Sequence, residues 1–145
     1  MISSKIDYFN YLKADEFACV IPQCGKKRII SWILDPRWRF QRLLRKTEYY
    51  TNCHKTPLGK VYSLYLRGWR LPSYGRKLGY SIPINTIGPG LCLVHTGTIV
   101  ISPHAKIGKN FRCHVCVNIG CSKGGGRRVS EIMSILDLEL NFSTQ

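Results

Sequence analysis

The sequence predicts an α+β fold. A helical N-terminal region occupies residues 1–79, a short parallel β-helix residues 80–122, and a glycine loop with a tail residues 123–145. Three observations predict it. Asp35-Pro36 opens a helix in the first half, apolar residues recur every six positions in the second, and that rhythm stops at Gly124-Gly125-Gly126. With 145 residues, 44% hydrophobic and 21% charged, the chain has the size and apolar content of one packed domain and not of a disordered one.

In the first half, Ile6, Phe9, Leu12 and Phe17 fall among polar residues between Lys5 and Val20, the pattern of an amphipathic helix. Pro22 to Arg28 reads as a loop. At Asp35-Pro36 the carboxylate can cap free N–H groups, and proline tolerates the first helical position because no donor is lost there. The helix then runs from Pro36 to Thr51, with Trp38, Leu43, Leu44 and Tyr49 on its apolar side and Arg37, Arg39, Arg42, Arg45 and Lys46 around the rest. A third helical stretch from Pro57 to Leu78 is expected to be interrupted at Gly68, Pro72 and Gly75.

The charge is strongly positive: 22 Lys+Arg against 8 Asp+Glu, a formal net of +14. Sixteen of the basic residues and five of the acidic ones precede Tyr80. This excludes an acidic solvating protein and admits nucleic acid, an anionic membrane surface or a polyanionic small molecule as partner. No helix-turn-helix, zinc-finger or RNA-binding signature accompanies the charge, so the expected role is a solvated face whose long stems cover aromatic rings. A basic module binding nucleic acid through Arg37 to Lys46 and Arg67 to Lys77 is the reading from another class. No apolar run approaches the roughly 20 residues that span a bilayer. The start, Met1-Ile2-Ser3-Ser4-Lys5-Ile6-Asp7, lacks the apolar stretch of a secretory signal. The expectation is a cytoplasmic chain whose seven cysteines are free thiols.

In the second half, steps of six from Ile87 give Leu93, Ile99, Ala105, Phe111 and Val117, all apolar. The column two residues later gives Pro89, His95, Ile101, Ile107, Cys113 and Ile119. A period of six matches neither a helix nor an alternating strand. It matches a parallel β-helix, in which each hexapeptide supplies one short strand and one turn, three of them close a triangular coil, and the first-position side chains stack inward.

The stretch Ile87-Gly88-Pro89-Gly90-Leu91-Cys92-Leu93-Val94-His95-Thr96-Gly97-Thr98-Ile99-Val100-Ile101, followed by Ala105-Lys106-Ile107-Gly108, resembles the hexapeptide-repeat acetyltransferases. Within them it is most similar to the serine O-acetyltransferase group and its short members in polysaccharide biosynthesis. The Asp35-Pro36 helix, Tyr49-Tyr50 and the basic third helix look like that group's helical region, and the resemblance covers residues 1–126. It implies a left-handed β-helix, assembly as a homotrimer, acetyl-CoA as co-substrate without a metal, and serine or a sugar hydroxyl as acceptor. For serine the product would be O-acetylserine, a step of cysteine biosynthesis.

The resemblance also implies that His95 is the catalytic base. An acceptor hydroxyl is a poor nucleophile at neutral pH, and a neutral imidazole can take its proton as it attacks the thioester. Backbone N–H groups of Gly97 or Thr98 are expected to stabilise the oxyanion. Tyr80, Ser81, Lys123, Gly124 and Gly125 are expected contacts of acceptor or co-substrate, the last three from the family's projecting loop. Two departures stand out. The carboxylate that orients the histidine in the serine enzymes falls near Tyr80, and their substrate-binding carboxylate falls on Val94. No Asp or Glu occurs between Thr51 and Ser130. An orienting group must come from the helical region, from another subunit or from a hydroxyl such as Ser81, and a sugar acceptor gains ground over serine. His104 and His114 read as surface or interface residues. Cys113-His114-Val115-Cys116, with Cys121 beyond, lacks the paired half-site of a zinc centre.

After Gly126 the tail resembles nothing in the family. Read one base out of frame, Arg127 through Phe142 can encode Pro-Arg-Ile-Gly-Asp-Asn-Val-Tyr-Ile-Gly-Pro-Gly-Ala-Lys-Phe, another hexapeptide coil. The expectation is a frameshift near the glycine run. It would leave a truncated β-helix of roughly two coils, with Ile132, Ile135, Leu136, Leu138 and Leu140 as a makeshift cap and with weak or absent catalysis. A non-catalytic assembly partner is the third reading.

Overall fold

The computed structural model describes residues 1–19 and 33–120, with the backbone of residues 128–129. Helix α1 spans Lys5–Ala18. The Ser4 hydroxyl caps it by accepting the Asp7 N–H at 3.0 Å. Its buried face is not the apolar one expected: Ile6, Phe9 and Phe17 are exposed, whereas Asp15 and Glu16 are buried. Asp15 is drawn inward because a buried cation, Arg45, meets it at 2.8 Å.

Helix α2 spans Pro36–Cys53 and starts as the sequence predicts, with Asp35 accepting the N–H groups of Arg37 and Trp38. It buries Trp38, Phe40 and Leu44, but also Gln41, Arg45, Thr47 and Glu48. Arg45 therefore leaves the polar surround assigned to it. Helix α3, Pro57–Tyr65, passes without a break into a π-helical turn, Leu66–Arg70, and then into helix α4, Leu71–Leu78. The three expected interruptions reduce to this one wide turn around Gly68. Pro72 sits in the first turn of α4. Gly75 is needed for close packing, since a Cβ there would lie 2.6 Å from the Tyr80 carbonyl oxygen.

The rest is built from short parallel strands: β1 Tyr80–Ser81, β2 Cys92–Leu93, β3 Ile99–Ile101, β4 Lys106–Ile107, β5 Arg112–Cys113, β6 Val117–Ile119 and β7 Arg128–Val129. They form three small open sheets, β1-β3-β6, β2-β5 and β4-β7. Tyr80 lies opposite Ile99, Ile99 opposite Val117, and Cys92 opposite Arg112, so partners stand eighteen to twenty residues apart, about three hexapeptides. The pairing of Lys106 with Arg128 is wider, at twenty-two, and carries one strand past the point where the rhythm breaks.

Burial follows the six-residue columns. Ile87, Leu93, Ile99, Ala105 and Phe111 are buried and Val117 is half-buried; in the second column Ile101, Ile107, Cys113 and Ile119 are buried, while His95 is exposed. Phe40, Leu44 and Leu71 join these residues in one core, so helices and strands share their apolar interior. Among the described residues, no helix is long and apolar enough to cross a membrane. The loop read at 22–28, the glycine run and the tail beyond residue 129 lie outside the described residues.

Candidate active site

His95 stands in the turn between β2 and β3, exposed, on a backbone held from three directions. The Val94 N–H donates to the Cys113 carbonyl at 3.0 Å. The Val94 carbonyl accepts from the Arg37 guanidinium. The Tyr80 hydroxyl donates to the His95 carbonyl at 2.7 Å. The exposed ring is thus presented by a main chain with little freedom to move.

Tyr80 is itself fixed by burial, 4% exposed, with its ring edge-on to Phe40 at 5.0 Å between centroids. Burial, against the opposing pull of the Arg37 cation, pushes its phenol up to about 12, so it remains a donor across the neutral range. The resemblance implies a carboxylate near this position. Here a hydroxyl occupies it and acts on the backbone of His95 rather than on its ring.

Arg37 links the same backbone to the helical region. Its guanidinium is 2.9 Å from the Asp35 carboxylate. Burial works against ionisation of Asp35, but the hydrogen bonds and charge of Arg37 outweigh it and hold the carboxyl below its usual value. Asp35 thus bears on the backbone at residue 94 only through Arg37, and not on the His95 ring. Among the described residues no carboxylate hydrogen-bonds the His95 ring.

The neighbour of that ring is His114, with centroids 5.9 Å apart and planes at 51°. The pairing of Leu93 with Cys113 brings the two residues together on successive passes of the chain. His114, which the sequence reads as a surface or interface residue, is half-buried here. The signal that could have placed it is its spacing of nineteen residues from His95, close to the separation of the strand partners.

The other expected residues divide. Of the two expected oxyanion donors, the Gly97 N–H donates to the Leu78 carbonyl at 3.0 Å. Thr98 is exposed beside it. Ser81 and Tyr80 line a separate cavity of about 410 Å³ with Phe40, Arg67, Leu71 and Arg76. Its lining does not include His95, and among the described residues no hydrogen bond joins Ser81 to the ring. His104 is exposed. Cys113 is buried with its thiol donating to the His114 carbonyl at 3.3 Å, whereas Cys116 is exposed in a left-handed turn. Lys123, Gly124 and Gly125 lie outside the described residues.

Comparisons with protein-family models, with curated proteins and with solved structures find no match to this chain.

Proposed function

We propose that the chain is an acetyl-CoA-dependent O-acetyltransferase-like protein, that its three small sheets are faces of a short left-handed parallel β-helix, and that His95 is its general base. The observation that carries this reading is an exposed imidazole on a backbone pinned by Tyr80, Arg37 and Cys113. The resemblance around residues 87–108 supplies the reaction class.

In the proposed reaction the His95 imidazole takes the proton of the acceptor hydroxyl as its oxygen attacks the thioester carbonyl carbon. The tetrahedral intermediate collapses, the C–S bond breaks, and the departing thiolate takes the proton back from the imidazolium. With Gly97 committed to Leu78, the Thr98 N–H is the remaining candidate donor to the oxyanion. His114 borders the ring on the side of the next pass and shapes the space the acceptor enters.

The acceptor is a sugar hydroxyl rather than free serine. Serine brings an ammonium, which needs an anion beside it. The carboxylate beside residue 94, Asp35, is already paired with Arg37 at 2.9 Å, and Arg112 adds a further cation to the same small cavity. A neutral polyol carries no such penalty.

The test is incubation of the purified full chain with acetyl-CoA and a panel of sugars and serine, with acetylated product detected by mass spectrometry. Product is expected on a sugar, and His95→Ala is expected to lower its rate by about 10²–10⁴-fold, the usual weight of a general base. Turnover unchanged in His95→Ala removes the assigned role. Serine preferred over every sugar overturns the acceptor. No product with any acceptor overturns the activity of this chain.

A further inference from the structure

Two cysteines that the proposed acetyl transfer does not use line one small cavity at the junction of the helices and the strands. Cys19 caps the C-terminus of α1, and Cys92 opens β2. Both line a cavity of about 110 Å³, which they share with Asp35, Arg37, Gln41 and Arg112. The Cys19 thiol lies 3.6 Å from the carbonyl oxygen of Leu91, the residue before Cys92, and 3.6 Å from the Gln41 side-chain oxygen. Both are free thiols. We propose that Cys19 and Cys92 form a modification site, a dithiol that a hydroperoxide converts to a disulfide tying the end of α1 to β2.

The chemistry follows from the surroundings. A thiolate, not a thiol, attacks peroxide, and cations beside a sulfur favour the thiolate. The Cys92 thiol is pulled down to about 7, first by the hydrogen bond from Cys19, with burial opposing and the charges of Arg112 and Arg37 assisting. Cys19 is shifted the other way, by its neighbour Cys92 and by burial, and stays protonated, its thiol within reach of the Leu91 carbonyl and the Gln41 side-chain oxygen. The roles are thereby assigned. The Cys92 sulfur attacks one peroxide oxygen, the O–O bond breaks, and one water leaves after protonation, with Cys92 as the sulfenic acid. The Cys19 sulfur then attacks the Cys92 sulfur, its proton goes to the departing hydroxide, and a second water leaves with the S–S bond formed. Two thiols and one hydrogen peroxide give one disulfide and two waters.

The experiment uses the full chain, treated with graded hydrogen peroxide, blocked with N-ethylmaleimide, digested without reductant and read by mass spectrometry. Cys24, Cys53, Cys113, Cys116 and Cys121 compete in the same digest. The expected result is a Cys19–Cys92 linked peptide that appears before any other linkage and disappears with dithiothreitol. In Cys19→Ser the bridge is lost and Cys92 proceeds to the sulfinic acid. In Cys92→Ser, Cys19 stays open to maleimide at peroxide concentrations that bridge the parent chain. Earlier bridging between other cysteines overturns the proposal, as does Cys92 oxidised in the parent chain while Cys19 still takes maleimide. The parent-chain digest decides the matter even where a variant folds poorly.

Discussion

Asp15 and Arg45 are both fully buried and lie 2.8 Å apart where α1 and α2 meet the turn leading into β2. Asp15 also accepts the backbone N–H groups of Gly90 and Leu91 at 2.8 Å each, and Arg45 donates to the carbonyls of Ile87 and Gly88. Glu48 completes the set, bonding Arg45 at 3.0 Å and accepting the Asn85 N–H at 2.8 Å. A polar clamp thus holds the irregular chain between β1 and β2 against the helices and supplies partners for backbone groups that no strand pairs. Breaking such a pair from one side strands a buried charge, which costs about 3–5 kcal/mol. Arg45→Met and Asp15→Asn are each expected to lower unfolding stability by that order in urea titrations. The double variant is expected to lose clearly less than the two losses added together, and simple additivity would contradict the coupling.

Gly79 closes α4 in the left-handed region, at φ 82°, and its position bears on the candidate site. A Cβ there would lie 2.7 Å from the Gly97 carbonyl oxygen and 3.2 Å from the Thr98 nitrogen. Gly79→Ala therefore meets two costs: the left-handed backbone, about 1–2 kcal/mol for a residue with a side chain, and a clash with backbone that has to shift. The expected outcome is a fall in Tm of several degrees, together with altered backbone amide chemical shifts at Gly97 and Thr98. An unchanged Tm would mean that the helix end relaxes freely.

The strand half was legible because burial there follows a short period in the sequence. Five of the six first-column residues from Ile87 to Val117 are buried and the sixth is half-buried. The Asp35-Pro36 start was equally legible, since a cap acts within one turn. What escaped is long-range electrostatics. Nothing local to Arg45 says that Asp15, thirty residues earlier, waits inside to receive it, so its charge was read as a reason for exposure. The same blindness inverted α1: Ile6, Phe9 and Phe17 are exposed while Asp15 is buried against Arg45. At the candidate site His95 comes from a resemblance and His114 could have come from its spacing of nineteen residues, while Arg37 and the pairing of Tyr80 with the His95 carbonyl needed coordinates. Each of these depends on which residues the strand register stacks, and a slip of one residue would send every side chain to the other face.

Tyr80→Phe isolates the hydroxyl that holds the His95 carbonyl. At neutral pH the variant is expected to lose about 1 kcal/mol, the usual net worth of one hydrogen bond. The pH dependence carries a second signature. The phenol is raised from its ordinary 10 to about 12 in the folded chain, chiefly by burial. The stability it lends is complete below pH 10 and is lost as pH rises through about 12. Tyr80→Phe is therefore expected to flatten the alkaline limb of the stability curve. Tyr8 and Tyr11, also raised by burial, keep part of that limb in place. An alkaline limb identical in both chains would show that the phenol ionises as easily folded as unfolded.

Cys92 offers a test of local electrostatics that needs no activity at all. Its thiol is lowered from an ordinary 9 to about 7, first by the Cys19 hydrogen bond, whereas burial pushes the Cys113 thiol up to about 11. Only thiolate reacts with iodoacetamide, so the rate at each sulfur follows its thiolate fraction. Modification of Cys92, followed by peptide mass spectrometry, is expected to rise through a midpoint near pH 7 and then level off, while Cys113 stays unmodified across the same range. Cys19→Ala removes the donor and leaves the opposing burial in place, so the Cys92 midpoint is expected to climb toward that of an ordinary thiol. A midpoint that stays near 7 in Cys19→Ala would transfer the effect to Arg37 and Arg112, and the two can be separated by repeating the series in high salt, which weakens the charges and spares the hydrogen bond.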